Sequence, residues 1–83
     1  MRRHRQKVYT YTAIFEPAEE GGYVAMVPAL PGCVTQGDTF EEAKKMVEDA
    51  IRLYLKILKE DGDPVPVEQE ERIEVRIPVM APV

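Results

Sequence analysis

The stretch from Gly22 to Ala43, GYVAMVPALPGCVTQGDTFEEA, decides the fold of this chain. Tyr23 to Val27 is predicted as a strand that ends at Pro28, because proline has no N–H to donate to a ladder. Pro31-Gly32 is typical of a tight turn, in which glycine takes the position that needs a positive φ. Residues Cys33 to Gln36 can then return as a short strand antiparallel to the first.

A capped helix follows the return strand. Thr39 and Glu42 form a capping-box pattern, and Asp38 with Glu41 offers the same pattern one residue earlier. Apolar residues then recur with helical period, and Gly62 is a typical C-terminal stop, so we expect a helix of about 22 residues. Three further apolar side chains exceed what one helix face over a small sheet requires, and they predict a homodimer or higher homo-oligomer interface: Met46, Leu53 and Ile57.

Strands are also predicted on both sides of this stretch. Val8 to Phe15 is rich in Tyr, Thr and Ile, and its more apolar face is assigned to the core: Tyr9, Tyr11, Ala13 and Phe15. Arg72 to Val79 alternates apolar and charged side chains, which indicates a strand with one buried face, and Pro78 places its end at a sheet edge. The edge of this strand is an alternative candidate for the homodimer contact. The predicted fold class is α+β with the order β-β-β-α-β. It comprises an antiparallel three-strand meander, a fourth strand beside the first, and one long helix packed on one face.

Length and composition favour one small domain. The chain has 83 residues, 45% of them hydrophobic and 31% charged, and a single cysteine. We expect a basic flexible tail over residues 1–7, one domain over residues 8–80, and an unstructured C-terminus over residues 81–83. The chain lacks an apolar run of roughly 18 residues, so no membrane association is expected, and the lone cysteine favours a reducing, cytoplasmic location.

Charge is divided unevenly between the tail and the body. The net charge of the chain is −4, yet the first seven residues hold four basic side chains and no acidic one. The body is therefore strongly acidic. An acidic body repels phosphate backbones and attracts cationic surfaces, although the same charges also serve solubility.

Three blocks in this order resemble the N-terminal domain of the HicB antitoxin family: Gly22-Tyr23-Val24-Ala25, Pro28-Ala29-Leu30-Pro31-Gly32-Cys33, and Gly37-Asp38-Thr39-Phe40-Glu41-Glu42-Ala43. The resemblance covers roughly residues 8–80 and implies a truncated ribonuclease H-like core. It also implies a partner, a HicA-like mRNA-cleaving toxin with a catalytic histidine on a basic surface. The C-terminal DNA-binding module that such antitoxins usually carry is not expected here, which leaves autoregulation open.

Catalysis, a metal site and a cofactor are not expected. Two-metal cleavage of a phosphodiester needs several converging carboxylates, whereas the first predicted strand has no acidic residue and the fourth has only Glu74. His4 is the only histidine and lies in the tail, so a histidine-based site is improbable. Cys33 is better explained as a small buried hydrophobe than as a nucleophile.

The expected function is therefore that of an antitoxin-type binding module that covers the active surface of its toxin. The candidate contacts lie in the hairpin that connects the first two predicted strands and beside the turn that contains Pro28 and Pro31, called the double-proline turn. They are Glu16, Glu19, Glu20, Leu30 and Asp38. One alternative is a nucleic-acid-binding protein that uses the basic tail and the tyrosines Tyr9, Tyr11 and Tyr23 to stack on bases. Another is an orphan oligomeric interaction domain.

Overall fold

Three short strands and one long helix make up the regular structure of the protein. A computed structural model describes residues 7–68 and 73–82. Its elements are β1 (Ile14–Pro17), β2 (Tyr23–Met26), β3 (Val34–Gly37) and α1 (Phe40–Asp61). The sheet has the order β1-β2-β3, and both neighbouring pairs are antiparallel. The predicted α+β arrangement of an antiparallel meander followed by one long helix is therefore confirmed.

The helix begins and ends at the residues that its capping pattern predicts. Thr39 is the N-cap, and its Oγ1 accepts a hydrogen bond of 3.0 Å from the Glu42 N–H. At the other end Gly62 takes the left-handed conformation with φ 74°. Its N–H donates to the Lys59 carbonyl, and the N–H of the next residue donates to the Leu58 carbonyl, which is the Schellman arrangement. Among the described residues, no helix has the length and apolar character needed to cross a membrane.

The double-proline segment forms a compact turn that carries a side chain into the core. The Leu30 N–H donates to the Val27 carbonyl at 3.0 Å, and the Cys33 N–H donates to the Leu30 carbonyl at 2.9 Å. Gly32 has φ 84°, the positive value expected at this turn position. As a result Leu30 is completely buried. The hydroxyl of Tyr54 donates to the Pro31 carbonyl at 2.8 Å and ties the turn to α1.

The core lies between the sheet and one face of α1. Its buried members come from β2, the turn and the helix: Ala25, Val27, Leu30, Cys33, Ala43 and Val47. Tyr11, Ala13 and Phe15 pack against this cluster, which agrees with the core face predicted for the first strand. Phe40, the first residue of the helix, contacts the rings of both Phe15 and Tyr23, with centroid distances of 4.8 Å and 6.0 Å. Aromatic contacts thus join the start of the helix to two strands.

The first strand is shorter than predicted and starts later. We expected it over Val8 to Phe15, whereas β1 spans Ile14–Pro17. The register pairs Ile14 with Met26, so any earlier residue would have to pair beyond the end of β2. The Val27 N–H donates to the Cys33 carbonyl, on the side away from β1, so the next donor toward β1 would have to come from Pro28, which has no N–H. The ladder cannot extend, and the residues before β1 bond elsewhere.

The segment before β1 is bonded to the chain that follows the helix. The Thr12 N–H donates to Glu68 Oε1 at 2.9 Å, and the Thr12 hydroxyl donates to Glu68 Oε2 at 2.6 Å. The Tyr11 hydroxyl donates to the Pro66 carbonyl. These bonds bring residues 66–68 across to the β1 side of the sheet.

The fourth strand predicted for residues 72–79 is not seen among the described residues. Residue 72 lies outside them, and residues 73–82 are exposed and form no ladder with a described strand. The alternation of side chains is a sound strand signal, but a strand exists only where a neighbour accepts its backbone hydrogen bonds. The predicted relation to ribonuclease H, which would need that strand, stays a prediction. Apart from Lys7, the predicted tail also lies outside the described residues.

Candidate partner-binding surface

An open acidic depression lies between the tip of the β1–β2 hairpin and the residues just before α1. Its volume is about 530 Å³, and its lining combines hairpin residues with the end of β3: Ala18, Glu19, Glu20, Gly21, Tyr23, Val24, Gln36, Gly37 and Asp38. Three lining side chains, those of Glu19, Glu20 and Asp38, are carboxylates, and all three residues are exposed. The lining contains no lysine or arginine. This depression is suited to a cationic group of a partner, because no basic side chain in its lining offsets the three carboxylates.

Two glycines in close contact hold the two sides of this acidic depression together. A Cβ on Gly22 would lie 2.2 Å from the carbonyl oxygen of Gly37, and Gly22 has φ 76°. A Cβ on Gly37 would lie 2.5 Å from the backbone nitrogen of Ala43, in the first turn of α1. Hairpin, β3 and helix therefore meet backbone to backbone, at distances that only glycine permits. The carboxylates stand on a rigid frame rather than on a free loop.

The hairpin loop itself is closed by backbone hydrogen bonds. The Ala18 N–H donates to the Gly22 carbonyl, and the Gly21 N–H donates to the Ala18 carbonyl, both at 3.0 Å. Gly21 has φ 99°, a value that suits glycine. Glu19 and Glu20 thus lie at the tip of a closed turn, where their side chains point away from the ladder into the acidic depression or solvent.

The structure brings together three of the five predicted contact residues. Glu19, Glu20 and Asp38 share the acidic depression, and Glu16 is exposed on β1. Leu30 requires a correction, because its side chain is completely buried in the core and offers no surface to a partner. The turn chemistry was interpreted correctly, but its effect is to direct Leu30 inward.

The acidic residues that the structure describes do not form a metal centre. Across residues 7–68 and 73–82, no group of three or more His, Cys, Asp or Glu side chains is placed to hold a metal ion. Cys33 is buried, and that burial raises the pKa of its thiol. A thiol with a raised pKa is a weak nucleophile at neutral pH.

An apolar groove lies on the other side of the molecule, between β3 and α1. It has a volume of about 170 Å³ and is lined by Gly32, Cys33, Val34, Ala50, Leu53, Tyr54 and Ile57. Leu53 and Ile57 are 58% and 47% exposed, and Met46, on the same helix, is 45% exposed. All three residues predicted for an oligomer interface therefore present apolar surface to solvent.

The tyrosines proposed for base stacking are engaged within the protein. Tyr9 and Tyr11 stack on each other with centroids 6.3 Å apart, and the Lys7 ammonium lies 5.2 Å from the Tyr9 ring centroid. Tyr23 meets Phe40 edge to face. Burial, together with the neighbouring Tyr9 and Glu68, raises the pKa of the Tyr11 phenol. These contacts favour a packing role for the three rings.

Sequence reasoning missed the two glycines that form the frame of the acidic depression. Gly22 and Gly37 were both quoted as parts of motifs, but neither was predicted to be a contact point. A signal was present in the sequence, because Gly37 directly follows a predicted strand and lies two residues before the N-cap Thr39. In the structure Gly37 ends β3 without a positive φ. A glycine in ordinary strand geometry often marks a close approach of backbones.

The family of the chain follows from comparison with known proteins. A family model described as the HicB-like antitoxin of bacterial toxin-antitoxin systems matches residues 11–78. The chain belongs to the HicB-like antitoxin family. The match includes the whole described sheet, the helix and the residues that line the acidic depression.

Individual relatives of this HicB-like chain span bacteria and archaea. UPF0150 protein ssr1765 of Synechocystis sp. is 46% identical over 63 residues, which cover 76% of this chain and 80% of that protein. UPF0150 protein Ta0767 of Thermoplasma acidophilum is 46% identical over 65 residues, covering 78% and 94%. Antitoxin HicB 1 of Photorhabdus laumondii is 42% identical over 57 residues, which cover 69% of this chain and 37% of that protein.

Membership in the HicB-like family gives the surfaces a context. An antitoxin family implies a toxin partner, and it favours a non-enzymatic role. A rigid acidic surface and an exposed apolar groove are features of a binding protein.

Proposed function

We propose that this chain neutralises a HicA-like mRNA-cleaving toxin by covering the toxin's active surface with the acidic depression. The main observation that supports this proposal is that Glu19, Glu20 and Asp38 line one depression whose lining contains no basic residue. A toxin that binds RNA must present cationic side chains to phosphates. The same cationic side chains are complementary to this acidic surface, so antitoxin and RNA compete for them.

Rigidity supports the proposal as well as charge. The frame made by Gly22 and Gly37 fixes the hairpin tip against the start of α1. A preorganised surface loses little conformational freedom on binding, so more of the interaction free energy remains as affinity. Glu16, exposed on β1, extends the negative surface beyond the depression. The chain itself performs no reaction in this proposal and acts in the cytoplasm, where the toxin meets mRNA.

The test replaces the three carboxylates by their amides and measures binding to a catalytically inactive HicA-like toxin. The triple variant Glu19→Gln, Glu20→Gln, Asp38→Asn removes three negative charges. At about 0.5–1 kcal/mol for each rim charge pair, we expect Kd to rise roughly 10- to 100-fold. The association rate should fall and should depend less on salt. Co-expression with active toxin should give correspondingly weaker growth rescue.

A matched control removes the same number of charges far from the acidic depression. Glu60→Gln, Asp61→Asn and Asp63→Asn change three exposed carboxylates at the C-terminal end of α1. This control should bind the toxin nearly as tightly as the unmodified chain. If the two triple variants lose affinity equally, only net charge matters and the proposed surface is wrong.

Deletion of residues 1–7 separates this proposal from the nucleic-acid alternative. Toxin binding should be unchanged without the basic tail, because the acidic depression does not include it. Loss of RNA binding together with loss of rescue would instead favour a function based on the tail.

We further propose that the chain is a homo-oligomer in which the apolar groove at Leu53 and Ile57, with Met46 beside it, is covered by another copy. Light scattering at micromolar concentration should give at least the mass of a dimer. Replacement of Leu53 by Ser should lower that mass if the groove is the contact, whereas a monomer mass for the unmodified chain contradicts the proposal.

A further inference from the structure

The C-terminal arm, residues 73–82, is a mainly apolar segment that forms no ladder with the other described residues. Ile73, Val75, Ile77 and Val79 are 87%, 68%, 74% and 79% exposed. The chain extends 68 Å along its longest axis and has a radius of gyration of 16.7 Å. A compact chain of 83 residues would have about 12 Å. The apolar side chains of the arm are therefore not buried against the body.

The start of the arm lies at the free edge of the sheet. Glu74 shares an open depression with residues 12–15, which lead into and form the start of β1. The chain leading toward it is anchored by the bonds from Thr12 to Glu68 and from Tyr11 to Pro66. β1 is an edge strand, since its only ladder partner among the described residues is β2. The arm thus has a fixed origin and a defined side of the molecule.

The side chains of the arm alternate in a way that suits strand pairing. The residues with odd numbers from 73 to 79 are apolar, while Glu74 and Arg76 carry opposite charges on the other face. Pro78 has no N–H to donate, so it limits a ladder to residues 73–77. An exposed strand with one apolar face is a template for pairing with another chain.

We propose that the arms of two copies of this chain pair with each other as antiparallel strands about a two-fold axis through Val75. This register places Ile73 opposite Ile77 of the second copy, and Glu74 opposite Arg76 of the second copy. Val75 meets Val75 of the second copy. Each pair lies on one face of the ribbon, so apolar residues face apolar residues and each carboxylate faces a guanidinium. A two-fold contact must be self-complementary, and the sequence of residues 73–77 is self-complementary in this register.

The neighbouring registers lack that complementarity. Centring the axis on Glu74 or Arg76 sets two like charges opposite each other. A shift by one residue puts apolar side chains opposite charged ones, on the wrong face. Parallel pairing in register opposes Glu74 with Glu74. The self-complementary charge pattern is the reason to assign the arm to a second copy rather than to the toxin or to β1 of the same chain.

Disulfide trapping tests the register directly. In a Cys33→Ser background, Val75→Cys places two thiols opposite each other, with Cβ atoms about 4.5–5.5 Å apart. We expect mild oxidation to convert most of this variant to a covalent dimer. Glu74→Cys alone should remain largely uncrosslinked, but a mixture of Glu74→Cys and Arg76→Cys should give the covalent heterodimer. Both positions are exposed, so these variants should fold.

Charge reversal provides a second measurement that does not depend on oxidation. Glu74→Arg and Arg76→Glu should each raise the dimer dissociation constant about tenfold in sedimentation experiments, since each opposes like charges. The double variant restores opposite charges in the same register and should dimerise nearly as well as the unmodified chain.

Three results would overturn this arrangement. One is a monomer at tens of micromolar. The second is a dimer in which Val75→Cys does not crosslink while Glu74→Cys does, which would indicate another register. The third is a dimer whose dissociation constant does not change in any arm variant. That result would assign the dimer interface to the apolar groove at Leu53, and the arm would then be available to pair with β1 or with a toxin.

Discussion

The substitution Gly37→Ala tests the frame of the acidic depression with a single methyl group. Gly37 is buried and has no positive φ, so alanine is acceptable to its backbone. The added Cβ would lie 2.5 Å from the Ala43 nitrogen, 2.8 Å from the Ala43 Cα and 2.9 Å from the Glu42 carbonyl carbon. All three are backbone atoms of the first helical turn. The methyl group can be accommodated only if the start of α1 moves away from the sheet.

The expected loss follows from two opposing effects. Overpacking costs about 1–3 kcal/mol, and contacts with backbone atoms place this site near the upper value. Alanine also restricts the unfolded chain, which offsets about 0.4–1 kcal/mol. We therefore expect the free energy of unfolding to fall by about 2 kcal/mol. With an m-value near 1 kcal/mol/M for a domain of this size, the urea midpoint should drop by about 2 M in circular dichroism at one fixed protein concentration.

Two other glycines supply internal controls. Gly32 has φ 84°, and a Cβ at this position would meet no atom within 4 Å. Gly32→Ala therefore measures the cost of the positive φ alone. We expect a loss of about 1 kcal/mol after subtraction of the stabilisation that alanine gives by restricting the unfolded chain. Gly22→Ala combines a positive φ with a 2.2 Å contact and should be the most damaging of the three. If Gly37→Ala costs no more than Gly32→Ala, the close approach of β3 to the helix is not a source of specificity and the two glycines do not form a rigid frame.

Two further predictions concern buried titratable groups. Cys33 is buried, and that burial raises the pKa of its thiol. The folded protein should therefore react with a disulfide reagent far more slowly than the protein unfolded in urea. Equal reaction rates would contradict the burial of Cys33. Burial, with Tyr9 and Glu68 adding to it, raises the pKa of Tyr11 above its ordinary value of 10.0, so the folded state disfavours the phenolate. The corresponding stability is fully present below pH 10 and is lost as the pH rises through the folded pKa. Tyr11→Phe should therefore lose less stability than the unmodified chain as the pH rises above 10 in urea titrations, and equal losses would refute that assignment.

The helix could be predicted almost to the residue because its signals are local. Thr39 and Glu42 are three positions apart, and the bond between them forms within one turn. Gly62 stops the helix through its own φ. Where two capping patterns competed, at Thr39 and at Asp38, the structure selected Thr39. Nothing beyond a few neighbouring residues was needed for this prediction.

The first strand was predicted less well because its length depends on a partner. Its composition favours extended structure from Val8 onward, yet β1 begins at Ile14. The limit is set by Pro28, which ends the neighbouring strand and lies fourteen positions away in the sequence. Composition can indicate extended backbone, but only the register decides how much of it is a ladder.

The candidate site shows the same division. Glu19, Glu20 and Asp38 were selected because they are acidic residues in a hairpin and beside a turn, where they suit a cationic partner, and both their charge and their loop position are local properties. Their convergence on one depression depends on the approach of Gly22 to Gly37, which joins two strands. Leu30 was misplaced for the same reason: the turn fixed its direction, but only the position of α1 decides that this direction is inward.

The C-terminal arm extends this reasoning from the fold to the assembly. Its alternating side chains indicate a strand, yet within the described residues the arm has no ladder partner. An alternation of apolar and charged residues indicates which face of a strand is buried, but it does not indicate which chain covers that face. Glu74 and Arg76 indicate which chain covers that face. Their opposite charges are placed symmetrically about Val75, so they are complementary to a second copy that runs antiparallel. If that pairing exists, the fourth strand was predicted correctly as a strand and wrongly as a part of its own monomer.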